Sequence, residues 1–169
     1  VPCRSSVRRD SLPLDFESPS SICLNTLQFV GDATQFHLGV LCSRMHMACV
    51  IYTCGRMKSD FRYSNTIVYN NFPWPDLSSN QLPAQAERAH AALEIEAQAV
   101  LDTRAAFPVS SLADLYDPLP LPPALFRARH TLDAAVDNAY ELGGVHNSDR
   151  TDSARLAGLF RPRAPCPRR

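Results

Sequence analysis

Between Ser43 and Pro75 the hydrophobic repeat of the chain switches from helical to strand-like across a short run of charges. The chain's single Lys and single Trp, Lys58 and Trp74, both fall in this stretch. Ahead of the switch, Leu38, Leu41, Cys42, Met45, Cys49 and Tyr52 recur at three- and four-residue steps, which predicts an amphipathic helix from about His37 to Thr53. Asp32 and Thr34 are placed to cap its start, and Gly55 stands where a left-handed residue would end it. Beyond Gly55 come Phe61, Tyr63, Thr66, Ile67, Val68 and Tyr69, all β-branched or aromatic. With Ser64-Asn65 as a turn, they predict one strand or a tight hairpin over 61–72, which Pro73 and Pro75 end because neither can donate to a ladder.

The charges sit at the joint. Arg56-Met57-Lys58-Ser59-Asp60-Phe61-Arg62 places three cations and one carboxylate in seven residues. In an extended backbone Arg56, Lys58, Asp60 and Arg62 all project to one face. Lys donates to guanine O6 and N7, and Asp accepts from the cytosine amino group of the same pair, so this face has the chemistry to read a base-pair edge. A solvated strand edge carries the same residue types for a different reason, since charges there discourage edge-to-edge pairing.

Net charge is zero over 169 residues, so no whole-molecule field draws the chain to a polyanion. Residues 1–75 hold 7 Lys and Arg against 5 Asp and Glu, whereas residues 76–169 hold 10 against 12, so any nucleic-acid surface is local and lies in the first half. The six cysteines form no CxxC pair and read as reduced thiols. His37 and His46, nine residues apart, match no zinc spacing and read as packing or capping groups. There is no signal peptide and no apolar run of membrane length, which points to the cytoplasm. Asn70-Asn71-Phe72-Pro73-Trp74-Pro75 contains the residue types of an amino-methyltransferase catalytic loop in the wrong order, and Gly143-Gly144 is no nucleotide-binding loop. Phe72 and Trp74 instead read as a hydrophobic clasp. No residue is assigned a catalytic, cofactor or metal role.

Taken in order, FHLGVLCSRMHMACV, CGRMKSDFRYSNTIVYNNFPWP, AQAVLDTRAAFPVSSLADLYDPLPLPPAL and HTLDAAVDNAY closely resemble the C-terminal end of MmeI-like enzymes over Phe36 to Tyr140. The resemblance implies part of a type IIL restriction-modification polypeptide that methylates adenine N6 in double-stranded DNA. S-adenosylmethionine, and magnesium for cleavage, would be used by the missing methyltransferase and nuclease parts. The residues matching that family's base-reading pair are Lys58 and Asp60, which implies a preference for G at one position of the site. Arg44, Arg56, Ser59 and Arg62 complete the expected DNA-binding set. Cys49 stands where the family usually has an aromatic residue.

The expected architecture is α+β, with a fragment of an α/β target-recognition domain over 1–75, a small all-α C-terminal domain over 76–160 and a disordered tail over 161–169. Val1 is not an initiator Met and VPCRSSVRRDSLPLDF reads as mid-domain sequence, so a fragment is expected. Ser5, Ser6, Arg8 and Arg9 are candidates for phosphate contacts, and Ile22 to Val30 suggests one or two short strands. Helical stripes run from about Pro83 to Ala106 and, after Pro122-Pro123, through Tyr140 to the Gly143-Gly144 stop, with a helical turn at 110–114 between them. A small helical interaction protein with a merely solvated hinge is the alternative reading of the same residues.

Overall fold

The computed structural model describes residues 4–5, 9–18, 20–22, 24, 26–58, 60–77, 83–117 and 121–143. Three strands, β1 (Arg4–Ser5), β2 (Gly55–Met57) and β3 (Asp60–Arg62), form an antiparallel sheet in the order β1-β3-β2. Among the described residues five α-helices accompany them: α1 (Gln35–Cys42), α2 (Arg44–Thr53), α3 (Pro83–Ala105), α4 (Leu112–Leu115) and α5 (Pro123–Leu142). The α+β expectation holds. A last short helix through Phe160, for which the sequence offers Ser148 and Asp149 as candidate caps, and the expected tail over 161–169 lie outside the described residues.

Where the sequence predicts one central helix there are two, broken at Ser43. Its backbone is extended (φ −77°, ψ 161°), and its hydroxyl donates to the Val40 carbonyl at 2.6 Å and accepts from the His46 amide at 3.3 Å. One side chain thus closes α1 and caps α2, the alternative to helix continuation that Ser offers the backbone. Asp133 of α5 takes the next free amide, accepting from the Arg44 N–H at 2.8 Å. Gly55 does not end α2 in a left-handed conformation. The cap is Cys54, in extended backbone (φ −74°, ψ 139°), and Gly55 already belongs to β2.

The predicted strand over 61–72 is also shorter than expected. After Arg62 the chain forms a π-helical turn, Asn65–Tyr69, in which the Asn70 amide reaches the Asn65 carbonyl at 2.8 Å. Polar side chains carry this turn: Ser64 accepts from the Ile67 amide, and Asn71 Nδ2 donates to the Thr66 and Ile67 carbonyls at 2.8 and 3.0 Å. Local bonds of this kind outweigh the β preference of Thr66, Ile67 and Val68. Residues 22–30 contribute no strand among the described residues, and Ile22, Leu24 and Phe29 are exposed.

α3 and α5 keep their sequence-predicted starts at prolines and bury most of the predicted stripes, Ala86, Leu93, Ala97 and Val100 on one and Leu125, Leu132, Val136, Ala139 and Tyr140 on the other, while Ala89, Leu101, Ala128 and Ala135 stay half-buried. They pack on each other and on α1, and one apolar cluster runs from Leu12 to Tyr140. Phe72 and Trp74 act as the expected clasp: Trp74 stacks with Phe36 and meets His37, Tyr69 and Phe72 edge-on, and Tyr140 Oη donates to the Pro73 carbonyl at 2.8 Å. No helix among the described residues is long and apolar enough to cross a membrane.

The tightest contact of this bundle is at Gly39 of α1. A Cβ there would lie 2.6 Å from Leu93 Cδ2 and 3.2 Å from both Ala97 Cβ and Leu132 Cδ1. Gly39→Ala therefore makes the Leu93 and Leu132 side chains or α1 itself give way, despite the better helix propensity of Ala. The expected result is a loss of about 1–3 kcal/mol in urea unfolding, the usual cost of overpacking.

Candidate nucleic-acid interface

The charged joint is a β-hairpin, and this changes which of its residues face together. Gly55 pairs with Arg62, Arg56 with Phe61 and Met57 with Asp60, leaving a two-residue loop of Lys58 and Ser59. Directly paired residues share a face of an antiparallel ribbon and neighbours along a strand alternate. Gly55, Met57, Asp60 and Arg62 therefore occupy one face, and Arg56 and Phe61 the other. The expected single face for Arg56, Lys58, Asp60 and Arg62 is corrected accordingly. It presumed one continuous strand, whereas the chain reverses at Lys58.

Phe61 is buried and anchors the ribbon on the core. The Arg56 guanidinium lies over its ring, 4.6 Å from the centroid, so Arg56 covers the apolar root of the hairpin. At the other side of the base the Cys54 thiol donates to the Arg62 carbonyl at 2.7 Å. Burial pushes that thiol's pKa up, which keeps its proton in place to donate. Outward, Lys58 and Arg62 are exposed and Asp60 is half-buried, so none of the three is sealed beneath the helices. Ser59 lies outside the described residues.

Lys58 has a left-handed backbone with φ 58°. A two-residue hairpin favours positive φ at its first loop position, because that twist matches the flanking strands. Gly or Asn normally supplies it, and with Lys-Ser at 58–59 no hairpin signal is present there. A Lys there costs about 1 kcal/mol.

Arg44 is not part of this cluster. It opens α2 while the hairpin follows the other end, and nine residues of helix separate the two by about 14 Å. Its surroundings are mixed, with Asp10, Arg129, Asp133 and Asp137 lining the same cleft. Arg9 turns to the helical half, where its guanidinium donates to the Ala113 carbonyl at 3.4 Å. Ser6 and Arg8, and the side chain of Ser5, are outside the described residues.

Behind the ribbon, His46 is fully buried between Tyr63 and Phe72, with Nε2 3.1 Å from Tyr63 Oη. Burial lowers its pKa from 6.5 to about 3, so it packs as a neutral ring. His37 is the capping histidine, its Nδ1 accepting from the Thr34 amide at 3.2 Å. Sequence reasoning missed both Asp133 as the acceptor for the first amide of α2 and Arg104, which is buried and donates to the Leu14 carbonyl at 2.6 Å and to the Tyr116 hydroxyl. Neither has a local sequence signature, because each acts over a long separation.

Fold and site together define an α+β module that projects a charged β2–β3 hairpin, joined along β3 by β1, from a helical base. Residues 1–76 match the family model "MmeI, target recognition domain", and residues 79–164 match "MmeI, C-terminal domain". The chain thus belongs to the MmeI family. It is similar to "DNA methyltransferase A" of Bacillus subtilis (strain 168), 39% identical over 161 residues that make up 95% of this chain and 17% of the relative. It is also similar to the solved type IIL restriction-modification enzyme MmeI in complex with DNA, at 34% identity and a TM-score of 0.83, covering 95% of this chain and 20% of that one. The chain therefore spans a fifth or less of the length of these relatives.

Two outcomes are expected from this geometry. Lys58→Asn, which tolerates a left-handed backbone, should raise stability by about 0.5–1 kcal/mol in chemical denaturation while removing the cation at the tip. For His46, the unfolded chain takes up a proton below pH 6.5 and the folded chain does so only near 3. Its stabilising contribution is then complete above pH 6.5 and is lost as the pH falls toward 3, at up to about 1.4 kcal/mol per pH unit. Unfolding measured across that window should show this slope, and His46→Gln should lack it.

Proposed function

We propose that the chain is the target-reading end of a type IIL restriction-modification DNA methyltransferase, with the β2–β3 ribbon entering the major groove of double-stranded DNA. The observation that carries this reading is the outward placement of Lys58, Asp60 and Arg62 on a ribbon anchored by Phe61. The major groove admits a two-stranded β-ribbon, and Lys with Asp supplies the donor and acceptor that a G·C pair asks for. Arg62 is a second donor on that face, for guanine or a backbone phosphate. Arg56 supports the ribbon from its inner face, and Arg44 is the weakest member of the set because it stands at the far end of α2. The relative solved as a complex with DNA supports a DNA partner.

Methyl transfer from S-adenosylmethionine to adenine N6, and magnesium-dependent cleavage, belong in this reading to methyltransferase and nuclease parts of the same cytoplasmic polypeptide. The described residues show no site that fits either group. The sheet is antiparallel, and the described residues hold no cluster of three His, Cys, Asp or Glu that could take a metal. No chemical step is assigned to this chain. The segment after Asp76 carries the ribbon: α5 supplies the acceptor for the first amide of α2, and α2 leads into β2.

Exchanging the pair in the intact enzyme, Lys58→Glu with Asp60→Arg, should change the base accepted at one position of the site, with roughly 10- to 100-fold discrimination against the former base. Methylation of a panel of duplexes varied one position at a time measures this. Equal loss on every duplex, with a shallower salt dependence, would mean that these residues hold phosphates and read no base.

A further inference from the structure

We propose that Met57 is a further specificity-determining residue, one that packs on the 5-methyl group of a thymine beside the base pair read by Lys58 and Asp60. The proposal rests on the reading above that the ribbon enters the major groove.

Met57 is directly opposite Asp60 in the ribbon and so shares its outward face. It is 39% exposed, a large apolar side chain amid charged neighbours, and it is not a member of the apolar cluster that anchors the hairpin through Phe61. Two residues separate Met57 from Asp60 along the chain, so both flank the tip and reach the same depth in any groove the tip enters. At the base of the ribbon, Gly55 faces Arg62 with nothing within 4 Å of the position of a Cβ, which leaves that face open to an approaching surface.

The major-groove edges of the four base pairs offer donors, acceptors and one apolar group, the thymine methyl. Lys58, Asp60 and Arg62 answer the polar groups. Met57 answers the methyl, and an unbranched thioether adjusts to such a contact without rearranging the backbone. The outward face then reads two kinds of information at once, hydrogen bonding and shape.

The test uses the intact enzyme that carries this chain and a duplex site selected by it from a random pool. Binding is followed by fluorescence anisotropy on duplexes in which each thymine is replaced in turn by deoxyuridine, which keeps every hydrogen-bonding group and removes only the methyl. At one thymine near the preferred G, the wild type should lose about fourfold in affinity, the worth of one buried methyl group. Met57→Ala should bind the two duplexes alike at that position while keeping the preference for G, and Met57→Leu should keep the sensitivity. If no position enriches thymine, or if deoxyuridine affects wild type and Met57→Ala equally everywhere, Met57 does not read the methyl, although the ribbon still reads DNA. A pool that yields no preferred site overturns the ribbon reading, and this inference with it.

Discussion

The close approach of α1 to α3 and α5 at Gly39 is the contact on which the rest of the molecule stands. Without a side chain there, α1 settles against Leu93, Ala97 and Leu132. Leu132 is followed on α5 by Asp133, whose carboxylate accepts from the first amide of α2. The same helix pair thus fixes where α1 lies and where α2 starts. α2 then delivers the chain to β2 after a single residue, Cys54, whose thiol is bonded across to β3. The direction of the ribbon follows from helix packing through an unbroken series of short contacts, with no flexible linker among them.

Those contacts cross between the two family-matched segments at several points. Arg104 of α3 holds the Leu14 carbonyl, Asp133 holds α2, Tyr140 holds the Pro73 carbonyl, and Arg9 reaches back to Ala113. The apolar cluster is likewise continuous from Leu12 to Tyr140. A surface that must discriminate bases needs its donors and acceptors held within a fraction of an ångström. Buttressing by long helices provides that rigidity where a three-stranded sheet of two- and three-residue strands does not.

The ribbon divides its charges by role. Arg56 is spent on the inner face over Phe61, while Lys58, Asp60 and Arg62 remain outward. Lys58 keeps a backbone conformation that Gly or Asn would hold at lower cost. Strain retained at one exposed residue in this way is the kind that accumulates where a side chain is needed for something other than folding.

Much of this was legible in the amino-acid sequence. The stripes of α3 and α5, their proline starts and the Phe72–Trp74 clasp follow from periodicity and residue chemistry, which are local properties. The resemblance of the ordered motifs supplied the family. Tertiary structure decided the rest. Ser43 breaks a run of helical period because its hydroxyl and a distant Asp133 together satisfy the amides a new helix exposes. Asn65 to Tyr69 becomes a π-turn because neighbouring Ser and Asn side chains bond its backbone. The facing of Arg56, Asp60 and Arg62 depends on register, and register is set by pairing between strands, a relation that no residue carries alone.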